Sequence, residues 1–271
     1  MNPGTPTPSL RAYRPRRFPD LVRVGSAYDG GYVLPRSALD ASQSLLSLGV
    51  EANWEFEEGA LALNPALNLT CVDGTTSPAI IRARALYELG RAALRLRPVK
   101  IARMLRLLGQ SRAFERFFAR HEFLPLMVGP TPGPGAATLP ELLARVRQGD
   151  ARRWVFVKMD IEGSEYDSLA VAGRLERVAA LVIEFHELGR NWSRFEATLD
   201  ALGADFVIAH IHGNNHLGCI PGTTVPETLE LTLVHRELVT GILPAASDSY
   251  PLPTLDRPCD RRRPDLALSF E

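Results

Sequence analysis

Residues 154–160, Trp-Val-Phe-Val-Lys-Met-Asp, constrain the fold more than any other stretch of the chain. A run of β-branched and apolar residues stops on an acid, Gly163 follows, and Ser164 and Glu165 open a helical pattern. This reads as a buried strand ending where a helix begins, with Asp160 at the strand's carboxyl end. In open α/β sheets ligands bind in the crevice outside that rim, which makes Asp160 and Glu162 candidate site residues. The local sequence leaves a plainer alternative open, in which Asp160 caps the helix and Glu162 is solvated.

The same alternation recurs along the chain. Residues 45–50 form an apolar run ending in Gly49-Val50, followed by Glu51 and a helix reaching about residue 63, then a strand over 67–72. Beyond residue 120 the pattern predicts a strand-like run at 122–129, a helix over 139–148, and a helix over 166–178. A buried strand over 179–187, a helix over 192–202 and a strand over 206–216 follow. Residues 227–234 alternate and are expected to close the sheet as an antiparallel partner. With 271 residues, 45% of them hydrophobic, one large domain is expected at 21–243, with an N-terminal arm at 1–20 and an irregular Pro-rich tail at 244–271. Residues 78–120 read as a helical insertion. Between Arg82 and Arg120 eleven basic residues face two acids, so the rest of this neutral chain is acidic. Such a basic pair of helices could cover the site, grip an acidic partner or touch a membrane surface, or it is an ordinary solvated face.

Gly49 keeps one position of a Gly-x-Gly-x-x-Gly turn, and the acids after it would repel a pyrophosphate at the helix start. A cofactor with a cationic end and no phosphate is expected there, near Gly49, Val50 and Glu51. Asp73-Gly74 lies twenty-four residues beyond Gly49, close to the spacing at which an acid holds a ribose diol; a turn aspartate is the alternative. Asp29-Gly30-Gly31-Tyr32 is either a hairpin loop or a place where backbone amides approach a ligand.

Successive strand ends carry Asp160, then Glu184 and His186, then His210, His212, Asn214 and Asn215. Polar residues gathered this way need partners if buried, and one shared cleft would supply them. Asp160, His186 and His212 are the candidate catalytic groups, with His212 preferred to His186 as a base. Glu162, Glu184, His210, Asn214 and Asn215 are candidate substrate ligands. Asp160, Glu184 and His212 could instead hold a divalent cation, Mg²⁺ or Mn²⁺.

The stretch Lys158-Met159-Asp160-Ile161-Glu162-Gly163-Ser164-Glu165 resembles the signature of the FkbM-type S-adenosylmethionine-dependent methyltransferases, a lysine and an apolar residue before Asp-x-Glu-Gly-x-Glu. Residues 181–186 are similar to the strand that follows it in that family. Asp29-Gly30-Gly31-Tyr32, Ser47-Leu48-Gly49-Val50 with Phe56-Glu57, and His212-Gly213-Asn214-Asn215 resemble a bacterial subgroup, so the likeness spans roughly residues 20–240. The resemblance implies a Rossmann-like class I methyltransferase fold, mostly parallel with an antiparallel C-terminal strand. It further implies S-adenosylmethionine as donor; Asp29 to Tyr32, Gly49 to Glu51, Asp73, Gly74 and Asp160 are then its candidate ligands. The implied acceptor is a hydroxyl on a small-molecule natural product, sugar or lipid. A catalytically inactive domain that binds the cofactor to regulate a partner is the competing reading. A nicotinamide-dependent oxidoreductase is disfavoured by the missing glycines and the acids Glu51, Glu55 and Glu57.

No apolar run is long enough to span a membrane, and the three cysteines are too scattered for a disulfide framework or thiolate metal site. A cytoplasmic protein is expected, without stable membrane insertion beyond a peripheral contact through 82–120. The Arg bias is read as compositional rather than phosphate-binding, so no nucleic-acid partner is expected.

Overall fold

The computed structural model describes residues 7–77, 79–80, 83, 86–87, 109, 111–246 and 249–271. Most of the basic insertion, and with it the reading of residues 82–120 as a contact surface, lies outside the described residues.

A two-stranded antiparallel hairpin, β1 (Leu21–Gly25) and β2 (Gly31–Pro35), leads through the short helix α1 (Arg36–Asp40) into the main sheet. In chain order the rest comprises β3 (Ser44–Leu48), α2 (Glu55–Leu63), β4 (Asn68–Val72), the helical residues 111–118 (α3), β5 (Glu122–Leu124), β6 (Met127–Val128) and β7 (Ala136–Ala137). It continues with α4 (Leu139–Arg147), β8 (Val155–Met159), α5 (Glu165–Ala172), β9 (Val178–Phe185), α6 (Leu188–Gly203), β10 (Phe206–Cys219) and β11 (Pro226–His235). The seven-stranded sheet has the order β10-β11-β9-β8-β3-β4-β5, in which β5, β4, β3, β8 and β9 are parallel. Those five reproduce the 3-2-1-4-5 order of a doubly wound sheet, with the switch of direction between β3 and β8. The fold is Rossmann-like, as expected.

Every residue of β8 and β9 is buried, the condition of a parallel strand covered on both faces. One face packs Val155, Val157, Met159, Leu181 and Ile183 under α4, α5 and α6. The other packs Phe156, Ala180 and Val182 under the hairpin, α1 and α2. On that second face the register continues Phe156 into Lys158 and Asp160, and Val182 into Glu184. Apolar side chains thus give way to charged ones only as the strands approach their carboxyl ends.

Several expected boundaries move for physical reasons. β11 does not close the sheet edge; it lies between β9 and β10, antiparallel to both, and nearly all of it is buried. The run at 122–129 is two short strands in different sheets. Helix α5 stops at Ala172 because Gly173 turns to φ 61°, and residues 173–177 carry the chain into β9. The tail is irregular but packed, with Tyr250, Cys259, Leu268 and Phe270 buried and Tyr250 bridged to Leu268. The arm packs too: Leu10 and Tyr13 are buried, the latter edge-on to Phe195.

Candidate active site

A cavity of about 440 Å³ opens at the carboxyl ends of β3, β4, β8 and β9, and it gathers many of the residues singled out in the sequence. Gly49, Val50 and Glu51 come from the turn after β3, and Asp73 and Gly74 from the turn after β4. Asp160 and Glu162 follow β8, Glu184 comes from β9 and His186 from just beyond its end, Asn214 from β10, and Asp29 and Gly30 from the hairpin tip. The hairpin and ligand-wall readings of residues 29–32 therefore coincide in part. Gly31 is outside the cavity; a Cβ there would meet the Ser26 carbonyl at 2.0 Å, so its role is to close the hairpin.

Gly49 is fixed by space and by conformation. It has φ 75°, and a Cβ would lie 1.6 Å from the Asp160 carbonyl oxygen, so two strand ends touch backbone to backbone. Glu51 follows with φ 48° and lines the cavity. Burial raises its pKa, helped by the charges of Glu162, Asp160 and Asp73.

Asp73 holds that turn rather than standing free. One carboxylate oxygen accepts from the amides of Val50 (3.0 Å) and Glu51 (2.6 Å). The other accepts from Thr75 N and Oγ1 (both 2.7 Å) and Thr76 N (3.2 Å). Burial would raise its pKa, but the Thr75 hydroxyl and the Glu51, Thr75 and Val50 amides lower it. Its acceptor sites are occupied by the protein, which puts Asp73 in the cleft wall as a brace instead of leaving it open to a ribose diol.

The chemistry concentrates on Asp160, Glu184 and His186, whose ligand atoms lie within 4.8 Å of one another. His186 Nδ1 is 3.0 Å from Glu165 Oε1. Glu165 has no solvent exposure and is aimed by the amides of Ile161 (3.1 Å) and Gly163 (3.2 Å), which the positive-φ turn at Glu162 and Gly163 presents to it. The other ring nitrogen, Nε2, faces Asp160 Oδ1 (3.9 Å), Glu184 Oε1 (3.7 Å) and Glu162 Oε2 (3.7 Å). Burial alone would lower the His186 pKa, but the Glu165 hydrogen bond and the charges of Glu184, Glu165 and Asp160 push it up to about 9. Glu184 is raised well above the carboxylate range by burial and by the charges of Asp160 and Glu230.

Tyr32 is buried outside the cavity, its hydroxyl between Asp160 Oδ2 (3.2 Å) and Glu184 Oε2 (3.4 Å). It supports the cluster and is not a cleft wall. Asn214 Nδ2 donates to Glu184 Oε1 at 2.7 Å.

His210, His212 and Asn215, expected in the site, are elsewhere. His210 Nε2 is 3.2 Å from Asp256. His212 is clamped between Glu230 Oε2 (2.9 Å) and Asp265 Oδ1 (3.0 Å), and Asn215 donates to the carbonyls of Asp260 and Pro264 (both 3.1 Å). Strand parity puts His210, His212 and Asn214 on one face, but β11 lies between β10 and β9. Only Asn214 reaches the cavity, and the others bind the C-terminal segment that covers them. His212 can therefore serve neither as a base in this cleft nor as a metal ligand with Asp160 and Glu184. Its place in that set is taken by His186.

Sequence reasoning missed Glu165, Lys158 and Glu57. Lys158 Nζ donates to the Gly49 carbonyl and lies 3.3 Å from Asp160 Oδ2; its spacing of two from Asp160 put both on one strand face and could have revealed it. Burial would lower the Lys158 pKa, yet the charges of Asp160, Glu57 and Glu184 raise it. Glu57 lines the cavity, hydrogen-bonds to Ser47 Oγ and keeps Oε2 without a partner. Also missed was the rim, where Met127 and Leu217 are 52% and 70% exposed and give the mouth an apolar edge. No signal in the sequence marked these two.

No protein-family model matches this chain, and no curated protein matches it. Among solved structures it is similar to a precorrin-6y C5,15-methyltransferase from Geobacter metallireducens GS-15 (TM-score 0.35, 12% identity, 74% of this chain and 88% of that one). It is also similar to the fibrillarin/Nop5p complex (TM-score 0.34, 10% identity, 72% and 73%) and the mitomycin 7-O-methyltransferase MmcR (TM-score 0.31, 12% identity, 74% and 53%). These likenesses are distant, and the fold class rests on the strand order described above.

Proposed function

We propose that this chain transfers a methyl group from S-adenosylmethionine to a hydroxyl of a small-molecule acceptor. The observation that carries the reading is the lining of the cleft. Seven carboxylates, from Asp29, Glu51, Glu57, Asp73, Asp160, Glu162 and Glu184, face one lysine and two histidines across a cavity at the Rossmann-type switch point. Such a lining repels phosphates and suits a ligand with a sulfonium and an ammonium group. It fits S-adenosylmethionine and disfavours a dinucleotide.

When bound, S-adenosylmethionine supplies an electrophilic methyl group on a positively charged sulfur. Gly49 lets the turn after β3 close on the Asp160 backbone, and Asp29 and Asp160 offer charge to the ligand's cationic end. With Asp73 occupied as a brace, Glu51 is the acid left to take the ribose hydroxyls. Bound in this cavity, S-adenosylmethionine would give its methyl group to the acceptor oxygen and leave as adenosylhomocysteine. Asp160 and Glu184 face the place of the acceptor hydroxyl, and the proton it releases leaves toward solvent past the exposed Glu162. Orientation supplies most of such an acceleration, and proton removal contributes about 10²- to 10⁴-fold.

Calorimetry with adenosylhomocysteine and with NAD tests the reading. Adenosylhomocysteine is expected to bind and to raise the melting temperature, NAD to do neither; the reverse result would end the proposal.

A further inference from the structure

The structure assigns a divalent-cation site to Asp160 Oδ1, Glu184 Oε1 and His186 Nε2, with Mn²⁺ as the ion whose preferences fit best. The inference rests on the methyl-transfer reading for the cation's use, but not for its binding. His186 Nε2 has no hydrogen bond, and the two carboxylate oxygens facing it stand at 3.9 and 3.7 Å, too far to be hydrogen-bonded and near enough to share an ion after small shifts.

What separates this set from a chance cluster of acids is the shell behind it. The far nitrogen of His186 is tied to the buried carboxylate of Glu165 at 3.0 Å, the carboxylate–histidine pairing that fixes a metal-binding tautomer. Asp160 is anchored through its other oxygen, Oδ2, by Lys158 Nζ (3.3 Å) and Tyr32 OH (3.2 Å). Glu184, itself 5% exposed, is held by Asn214 Nδ2 (2.7 Å), with the Tyr32 oxygen 3.4 Å from its other carboxylate oxygen. Each donor thus has its own support, and Asp160 Oδ1 and His186 Nε2 are left without hydrogen bonds inside the cavity. Two carboxylates and one imidazole form an oxygen-rich set with one nitrogen, which suits Mn²⁺, then Mg²⁺. Water or the acceptor hydroxyl would complete the coordination. The ion would lower the hydroxyl's pKa, and its proton would leave to solvent past Glu162, whose side chain is 75% exposed.

The test is titration of the full chain with Mn²⁺, followed by calorimetry and by the electron paramagnetic resonance of the ion, in parallel with adenosylhomocysteine binding. One Mn²⁺ per chain is expected. The near-isosteric Asp160→Asn and Glu184→Gln should each lower its affinity more than tenfold, and Glu165→Gln by about 10- to 100-fold. Asp265→Asn, which alters the His212 clamp outside the cavity, should leave it unchanged. Absence of Mn²⁺ binding at millimolar concentration, or binding indifferent to all three site variants, overturns the assignment. So does a loss caused by Asp265→Asn alone. Adenosylhomocysteine bound without Mn²⁺ sinks only the cation, whereas Mn²⁺ bound without adenosylhomocysteine sinks the methyl-transfer reading and leaves the site.

Discussion

Glu165 Oε1 lies 3.0 Å from His186 Nδ1, so a carboxylate with no solvent exposure points a histidine's far nitrogen into the cleft. The pair links the first residue of α5 to the residue after β9, and the second oxygen of Glu165 has no partner. Replacing the acid by an amide keeps the shape and removes the charge that orients the ring. Glu165→Gln is therefore expected to lower kcat by about 10- to 100-fold with little change in adenosylhomocysteine affinity. Steady-state kinetics beside calorimetry checks this, and an unchanged kcat would reduce Glu165 to a filler of the core.

At Gly49 a single methyl group should be intolerable. The left-handed conformation costs a non-glycine residue about 1–2 kcal/mol, and the added Cβ would press on the Asp160 carbonyl. Gly49→Ala should lose at least that much in denaturant unfolding and should also weaken adenosylhomocysteine binding. A variant as stable as the parent would mean the two turns are farther apart than described.

Glu51 and Asp73 should part company. Glu51→Gln removes a charge that faces the cavity, and loss of a charge-assisted hydrogen bond costs roughly 1.5–3 kcal/mol, about ten- to a hundredfold in adenosylhomocysteine affinity, with the melting temperature nearly kept. Asp73→Ala strands the amides of Val50, Glu51 and Thr75 and should lower the melting temperature first. If Asp73→Ala melts like the parent and still loses affinity, Asp73 is the ribose ligand after all.

The C-terminal clasp should carry a pH signature. Burial would depress His212, but Glu230 and Asp265, with Asp256 behind them, push its pKa up to about 10. A folded-state pKa above the unfolded value of 6.5 contributes stability that is complete below about pH 6.5 and fades as pH rises toward 10. Melting temperature should fall across that window, and the part due to His212 should vanish in His212→Gln, which is less stable at pH 6.5 but flatter. Parallel curves for the two proteins would show that His212 is neutral when folded.

The parallel core was legible because apolar runs that end on acids have few other uses. Residues 154–160 and 179–187 appear as β8 and β9 to within two residues at each end. Glu184 and His186, two residues apart, do meet in the cavity. Strand ends alone do not say which strand lies beside β9, and β11 separates His210 and His212 from the cleft expected to hold them. Asp73 shows a different limit: spacing from the glycine turn located it in the wall of the cavity, but only coordinates reveal that neighbouring amides and hydroxyls occupy its oxygens. Glu165 stands inside the Asp-x-Glu-Gly-x-Glu stretch, where an acid in a helix's first turn is ordinarily explained by the helix dipole.

Asp256, Cys259 and Asp265 of the C-terminal segment contact the sheet face that carries Glu184. Across that face, register sets His212 opposite Glu230 and Glu230 opposite Glu184, so one row of ionisable groups runs from beneath the tail to the candidate reaction centre. Asp256, Cys259 and Asp265 shield the outer end of that row from water. Trimming the chain after Ser249 would hydrate Glu230 and His212 and change the dielectric felt by Glu184, so a protease cut far from the cleft would reach its floor through the solvent it admits.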